Sequence, residues 1–195
     1  ANPDEGIKAP SIDNLKNGYI ENLDSQITFL AKDLTKYDLQ ENFKVDVDCI
    51  FHLVCTGLVE SISNPMLDLD TNAKTMLNSL NYAKNRGSSL IYTSSGSVHG
   101  NVKREQLPLH EKSLIKPSNF YGSSKLISEF YCRIFSEEFG VPTMIFRLWN
   151  VYGYPQTINY EIGWIPVVTA FLTLKHPKIF GNGKQTRDFT YVKDV

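Results

Sequence analysis

Short apolar runs alternate along the chain with longer stretches in which apolar residues recur every three or four positions. APSI, IDNL, ITFLAKDL, CIFHLVCT, SLIYTSS and TMIFRLWNV read as strand regions, and the periodic stretches predict helices over about 68–86, 119–139 and 164–176. CIFHLV and TMIFRL are apolar almost without interruption, as strands are when crossover helices cover both faces of a parallel sheet. The expected fold class is therefore α/β, a doubly wound parallel sheet. Gly and Pro cluster at turns such as Gly153-Tyr-Pro155 and Gly181-Asn-Gly183. The second cluster lies beyond the last clear strand, so a first domain is expected over 1–151 and a small additional region over 152–195.

Composition narrows the function classes. The 195 residues are 42% hydrophobic and 12% aromatic, enough to bury a core. A formal net charge of -1 gives no broad attraction to nucleic acid or to an anionic membrane, so neither is an expected partner and an anionic ligand must be held locally. Cys49, Cys55 and Cys132 are three, widely spaced and without a Cys-x-x-Cys, a pattern of reduced thiols that points to the cytoplasm and away from a zinc site. His52, His99, His110 and His176 have no ligand spacing either, and no metal is expected. No apolar run approaches the roughly 20 residues of a membrane span, and ANPDEGIKAP lacks a signal-peptide core.

Chemistry is concentrated in NFYGSSKLISEF, residues 119–130, where Tyr121 stands four residues before Lys125. On a helix such a pair shares one face, and an ammonium beside a phenol favours phenolate, a base near neutrality. Taken alone, with 10 tyrosines in the chain, about one such pair is expected by chance and a plain surface helix explains it equally. Upstream, SSLIYTSSGSVHG runs an apolar strand into hydroxyls at its carboxyl end, the edge at which open α/β sheets bind ligands. There Ser95 is either a substrate-facing hydroxyl or part of a Ser-rich turn.

The ordered set IDNL (12–15), AKDL (31–34), FHL (51–53), TSSGSVHG (93–100), YGSSK (121–125), RLWNVYG (147–153) and GNGKQTRDFTYVKDV (181–195) resembles the extended short-chain dehydrogenase/reductases, specifically the NAD-dependent nucleotide-sugar epimerase/dehydratase family. The resemblance implies a Rossmann-type sheet, a partial NAD-binding domain over 1–151, and a truncated start of the substrate-binding region from 152. It implies Ser95, Tyr121 and Lys125 as the catalytic trio, with the latter two also against the cofactor. Asp13 and Asn14 fall at the ribose-binding position, where a carboxylate favours NAD over NADP, or else form an ordinary Asp-Asn turn. Asp33 and Leu34 match the adenine contact, Asp33 being otherwise a helix N-cap; Asn72 matches a helix asparagine near the cofactor, or is an ordinary polar position. Asn150 and Arg187 match contacts to a nucleoside diphosphate, Arg187 offering a planar fork for phosphate oxygens. Phe180 matches the base-contacting segment, or is a core aromatic.

None of the 12 glycines builds the phosphate-binding loop that should precede Asp13 by about 20 residues. The chain is therefore expected to be an internal fragment without its first βα unit, and to bind NAD weakly alone. Val54-Cys55 stand where the family has small residues beside the cofactor, and His99 replaces a more usual tyrosine. Family dehydratases carry Asp-Glu directly after the active-site hydroxyl, where this chain has Gly96-Ser97. Neither residue titrates, which favours 4-epimerisation of a UDP-hexose through a 4-keto intermediate over dehydration. A decarboxylase or reductase of the family, and a catalytically silent nucleotide-binding relative, are the alternatives. A homodimer is expected, because the helices near 71–86 and 119–139 resemble those that pair across the family's dimers, although their apolar faces equally suit the sheet.

Overall fold

The computed structural model describes residues 9–154, 172–173 and 181–195. The expected helix at 164–176, apart from 172–173, together with Phe180 and His176, lies outside them. Two compact units divide the chain, Ala1–Phe146 and Arg147–Val195.

In the first unit β1 (Ser11–Asp13) pairs in parallel with β2 (Phe29–Ala31), Asp13 opposite Ala31. A one-turn helix α1 (Leu39–Asn42) follows, capped by Asp38, whose carboxylate accepts the N–H groups of Gln40 and Glu41. Next come β3 (Cys49–His52), α2 (Leu58–Ser63), α3 (Pro65–Leu69), a π-helical turn at Asp70–Lys74 and α4 (Thr75–Arg86). Strand β4 (Ser89–Ser95) leads through a 3-10 turn at Gly96–His99 toward α5 (Phe120–Phe139) and β5 (Thr143–Leu148).

The strand order β3-β4-β5 makes a three-stranded sheet, with β3 and β4 parallel and His52 opposite Tyr92. Alternation along β4 buries Leu90, Tyr92 and Ser94 and leaves the residues between them partly exposed. The buried side packs on α4 and α5: Met76, Leu80 and Ala83 meet Leu90, Tyr92, Cys132, Phe135 and Val141. Each large apolar side chain buried there contributes about 1.5–3 kcal/mol. Phe51, Met144 and Phe146, at alternate positions of the same sheet, are exposed.

The single sheet expected from the sequence is divided among the described residues into separate ladders. β1-β2 and β3-β4-β5 are linked by side-chain packing, with Ile12, Leu30 and Ile50 all against the Leu39, Phe43 and Tyr82 cluster. In the second unit β6 (Asn150–Tyr152) pairs in parallel with β7 (Phe189–Tyr191), and the Tyr152 ring meets Phe189 edge-on and lies tilted against Tyr191. No helix among the described residues is long and apolar enough to cross a membrane.

Candidate active site

Ser95 closes β4 at its carboxyl end and caps the following 3-10 turn, its hydroxyl oxygen accepting the Ser97 N–H at 3.2 Å. The same hydroxyl donates to Ser97 Oγ at 3.2 Å. The turn reading of Ser95 holds, and the half-buried residue also stands at the carboxyl edge of its strand, where open α/β sheets bind ligands. In place of the acid–base pair of a dehydratase, the next two residues offer a hydroxyl and no titratable group.

Helix α5 begins against this turn. Asn119 caps it by accepting the Gly122 N–H at 2.7 Å, and Gly140 ends it in the left-handed conformation at φ 70°. Gly122 is required by proximity, since a Cβ there would lie 2.6 Å from the Ser97 carbonyl oxygen. That approach brings the first turn of α5, which carries Tyr121, against the turn that Ser95 caps.

Lys125, one helical turn on, is 1% exposed. Its Nζ donates to the Thr93 carbonyl at 2.9 Å and lies 5.7 Å from the centre of the Tyr121 ring and 5.0 Å from that of Tyr92. Tyr121 and Lys125 thus share the face the spacing predicts. Burial pushes the Lys125 ammonium below the usual lysine range, opposed by the negative character of Cys55 and Asp68. Burial also pushes the Tyr92 phenol up, so this neighbour stays neutral, its hydroxyl donating to the Lys125 carbonyl. Chemically, a hydroxyl at a strand end, a phenol and a buried ammonium form a unit able to take a proton from an alcohol.

Behind the pair lies a buried polar network. Asn72 sits in the π-helical turn, a device that recurs at functional sites. Its amide nitrogen donates to Asp68 Oδ1 and Ser124 Oγ, each at 2.8 Å, and its Oδ1 accepts the Thr56 N–H at 3.2 Å. Ser128 donates to the Asn72 carbonyl at 3.0 Å, satisfying an acceptor in the widened turn. The Asn72 amide is thus committed to protein partners and joins the loop after β3 to the first turns of α5.

Asp13 ends β1, its Oδ1 accepting the Leu15 N–H at 2.5 Å, while Asn14 accepts that of Lys16 at 3.0 Å. Both are exposed at a strand's carboxyl edge. Because β1 and β2 are parallel and Asp13 is opposite Ala31, Asp33 extends from the same edge two residues further on. Thr35 donates to its carboxylate through both N–H and hydroxyl, and the hydroxyl bond is the main cause holding that carboxyl below the usual range. Leu34 is half-buried, packs in the Tyr82 cluster, and its carbonyl accepts from Asn78 at 3.4 Å. Exposed Asp13 offers acceptor oxygens of the kind a ribose diol requires, and Asp33 and Leu34 lie beyond the same edge.

In the second unit, the Asn150 amide donates to the Asp188 carbonyl at 2.9 Å, tying β6 to the residue before β7. Arg187 is exposed and donates to the neighbouring Thr186 carbonyl at 2.8 Å. His52 and His99, which have no ligand spacing in the sequence, are buried: His52 lies between Thr75 and Ser79, and His99 contacts the Leu114 carbonyl.

Sequence reasoning passed over Thr56, Asp68, Ser94, Ser124 and Glu129. Ser94 donates to the buried Glu129 at 2.6 Å, one residue from Ser95 and one turn from Lys125. A signal was present: Asp68, Asn72, Thr75 and Ser79 repeat at core-facing helical spacing, a polar stripe where an apolar one is usual.

A putative UDP-glucose 4-epimerase of Methanocaldococcus jannaschii is 35% identical over 190 residues, covering 94% of this chain and 61% of that protein. Among solved structures, a UDP-glucose 4-epimerase with UDP-glucose from Thermotoga maritima superposes at a TM-score of 0.90 with 30% identity, covering 97% of this chain and 63% of that one. A UDP-N-acetylglucosamine 4-epimerase from Methanobrevibacter ruminantium M1, in complex with UDP-N-acetylmuramic acid, matches at 0.86 with 32% identity over 94% and 61%. The chain therefore spans somewhat over three fifths of the length of these relatives, and it shares their Rossmann-type α/β fold. Residues 2–195 match the NAD dependent epimerase/dehydratase family, to which this chain belongs.

Proposed function

We propose that the protein carrying this chain is a nucleotide-sugar epimerase that inverts C4 of a UDP-hexose through a 4-keto intermediate. The observation that carries the reading is the buried Lys125 ammonium, 5.7 Å from the Tyr121 ring, on a helix whose first turn meets the strand-end turn of Ser95. The family's dependence on NAD and the epimerase relatives support it.

In this mechanism Tyr121, held toward phenolate by Lys125, removes the proton from the sugar 4-hydroxyl, and Ser95 hydrogen-bonds the same oxygen. NAD, when bound, supplies a hydride acceptor that later returns the hydride. Tyr121 then gives its proton back to the oxygen after the keto-sugar has turned its other face. Asp13, Asn14, Asp33 and Leu34 hold the adenosine end, with Asn72 braced behind the site. Asn150 and Arg187 hold the diphosphate, and Phe180 the base. On this reading residues 1–151 bind cofactor and 152–195 begin the substrate region, in a cytoplasmic homodimer.

Incubating the full-length protein with UDP-glucose or UDP-N-acetylglucosamine and following the sugar by NMR tests the reaction. The expected product is the C4 epimer; a 4-keto-6-deoxy sugar would overturn the reading. Tyr121→Phe is expected to reduce turnover by about 10²–10⁴-fold, whereas a silent binding relative would be indifferent to that hydroxyl.

A further inference from the structure

We propose that Asp68 is a positioning residue for the Tyr121–Lys125 pair, acting through Thr56, Asn72 and Ser124, and that its buried carboxylate supports the charge of the Lys125 ammonium. The inference rests on the functional reading above for its kinetic consequences, and on a chain of buried hydrogen bonds for its geometry.

Asp68 is 1% exposed, a costly place for a carboxylate unless it is hydrogen-bonded and opposed by positive charge. Hydrogen bonds come from the Thr56 hydroxyl at 2.5 Å and the Asn72 amide at 2.8 Å, both on Oδ1. Asn72 also donates to Ser124 Oγ at 2.8 Å, and Ser124 Oγ donates to the Tyr121 carbonyl at 3.0 Å. A chain of three hydrogen bonds therefore runs from Asp68 to the backbone of Tyr121. Thr56, Asn72 and Ser124 are at most 5% exposed, so water does not compete along it.

Opposite charge is provided by Lys125, adjacent to Ser124. The titratable groups around that ammonium are Tyr121 on α5, Tyr92 on β4, His52 on β3, Cys55 in the loop after β3 and Asp68 on α3. Burial holds His52 neutral, with a pKa of about 3, and Tyr92 protonated. Glu129, the other buried carboxylate nearby, receives the Ser94 hydroxyl. Two groups oppose the desolvation of Lys125, first Cys55, a solvent-exposed thiol, and then Asp68, which is the buried carboxylate of the two. Without it, Lys125 loses its proton at lower pH, and with that proton goes its hold on the phenolate.

The test uses the full-length protein with 13C-labelled lysine. In Asp68→Asn, which keeps the shape and an acceptor oxygen, the Lys125 Cε resonance is expected to titrate about one pH unit or more below wild type. The alkaline limb of kcat should move the same way, and kcat should fall about 10-fold or more with little change in KM for the nucleotide sugar. Thr56→Val retains the charge and removes one of the two hydrogen bonds that hold Asp68 Oδ1 in place at the start of the chain; a fall in kcat at constant KM with wild-type Lys125 titration is expected. An unchanged Lys125 titration in Asp68→Asn overturns the inference, whatever the activity. Should Asp68→Asn not fold, wild-type kcat in Thr56→Val overturns it instead. A wild-type protein that turns over no nucleotide sugar refutes the functional reading, while the lysine titration still judges Asp68.

Discussion

Replacing Gly122 by alanine tests whether close contact between α5 and the Ser95 turn sets the reactive geometry. The new Cβ would stand 2.6 Å from the Ser97 carbonyl oxygen, against 3.4 Å for ordinary contact, so helix and turn must separate by about 0.8 Å. The obstructing atom is backbone and cannot swing away. Overpacking of this kind costs about 1–3 kcal/mol, and alanine's better helix propensity returns up to about 1 kcal/mol. Net destabilisation of about 0–2 kcal/mol lowers Tm by only a few degrees in a protein of this size. A displacement approaching 1 Å at reacting groups costs about 100-fold in rate, so the effect on kcat should exceed that on stability. Gly140→Ala is the control. Nothing lies within 4 Å of its added Cβ, but φ is +70°, so it should cost about 1–2 kcal/mol of stability and leave kcat alone. Thermal melts and steady-state kinetics on the full-length variants decide the matter. Wild-type kcat in Gly122→Ala, or equal losses of activity in both variants, would refute the reasoning.

Three further outcomes are expected. His52 stays neutral when folded, with a pKa of about 3 against 6.5 when free, so the unfolded chain alone binds a proton between those values and stability falls as pH drops through that window. Urea midpoints from pH 7 to pH 4 should show a flatter decline in His52→Gln than in wild type; parallel curves would exclude His52 as a cause. Asn119→Ala removes the cap bond to Gly122 and should cost about 1 kcal/mol, read as a lower denaturation midpoint, with no change contradicting the cap. Asp13→Ser removes a carboxylate that repels a 2′-phosphate, so the NADP:NAD affinity ratio of the full-length protein should rise about 10-fold or more by fluorescence titration; an unaltered ratio would remove Asp13 from the ribose site.

Much of this fold is legible locally. The helix expected over 119–139 is Phe120–Phe139, because its polar cap, its periodicity and Gly140 are all local signals. The helix expected from about 68 begins at Pro65 and passes through a π turn, whose Asn72 carbonyl is satisfied by Ser128, 56 residues away. No window around Asn72 contains that partner. Division of the strands into separate ladders was equally invisible, since apolar runs indicate burial without naming the neighbour.

The sequence by itself determined the α/β alternation, the helix that presents Tyr121 and Lys125 on one face, and the strand end that presents Ser95. These depend on short-range periodicity and on residue chemistry. Tertiary structure decided that Lys125 is buried rather than solvated, that Gly122 touches the Ser97 carbonyl, and that Asp68, Asn72 and Ser124 form one network behind the pair. The physical reason is that charge, desolvation and close contact depend on which elements pack together. A polar stripe on one helix acquires its meaning only when the polar positions of another helix close over it.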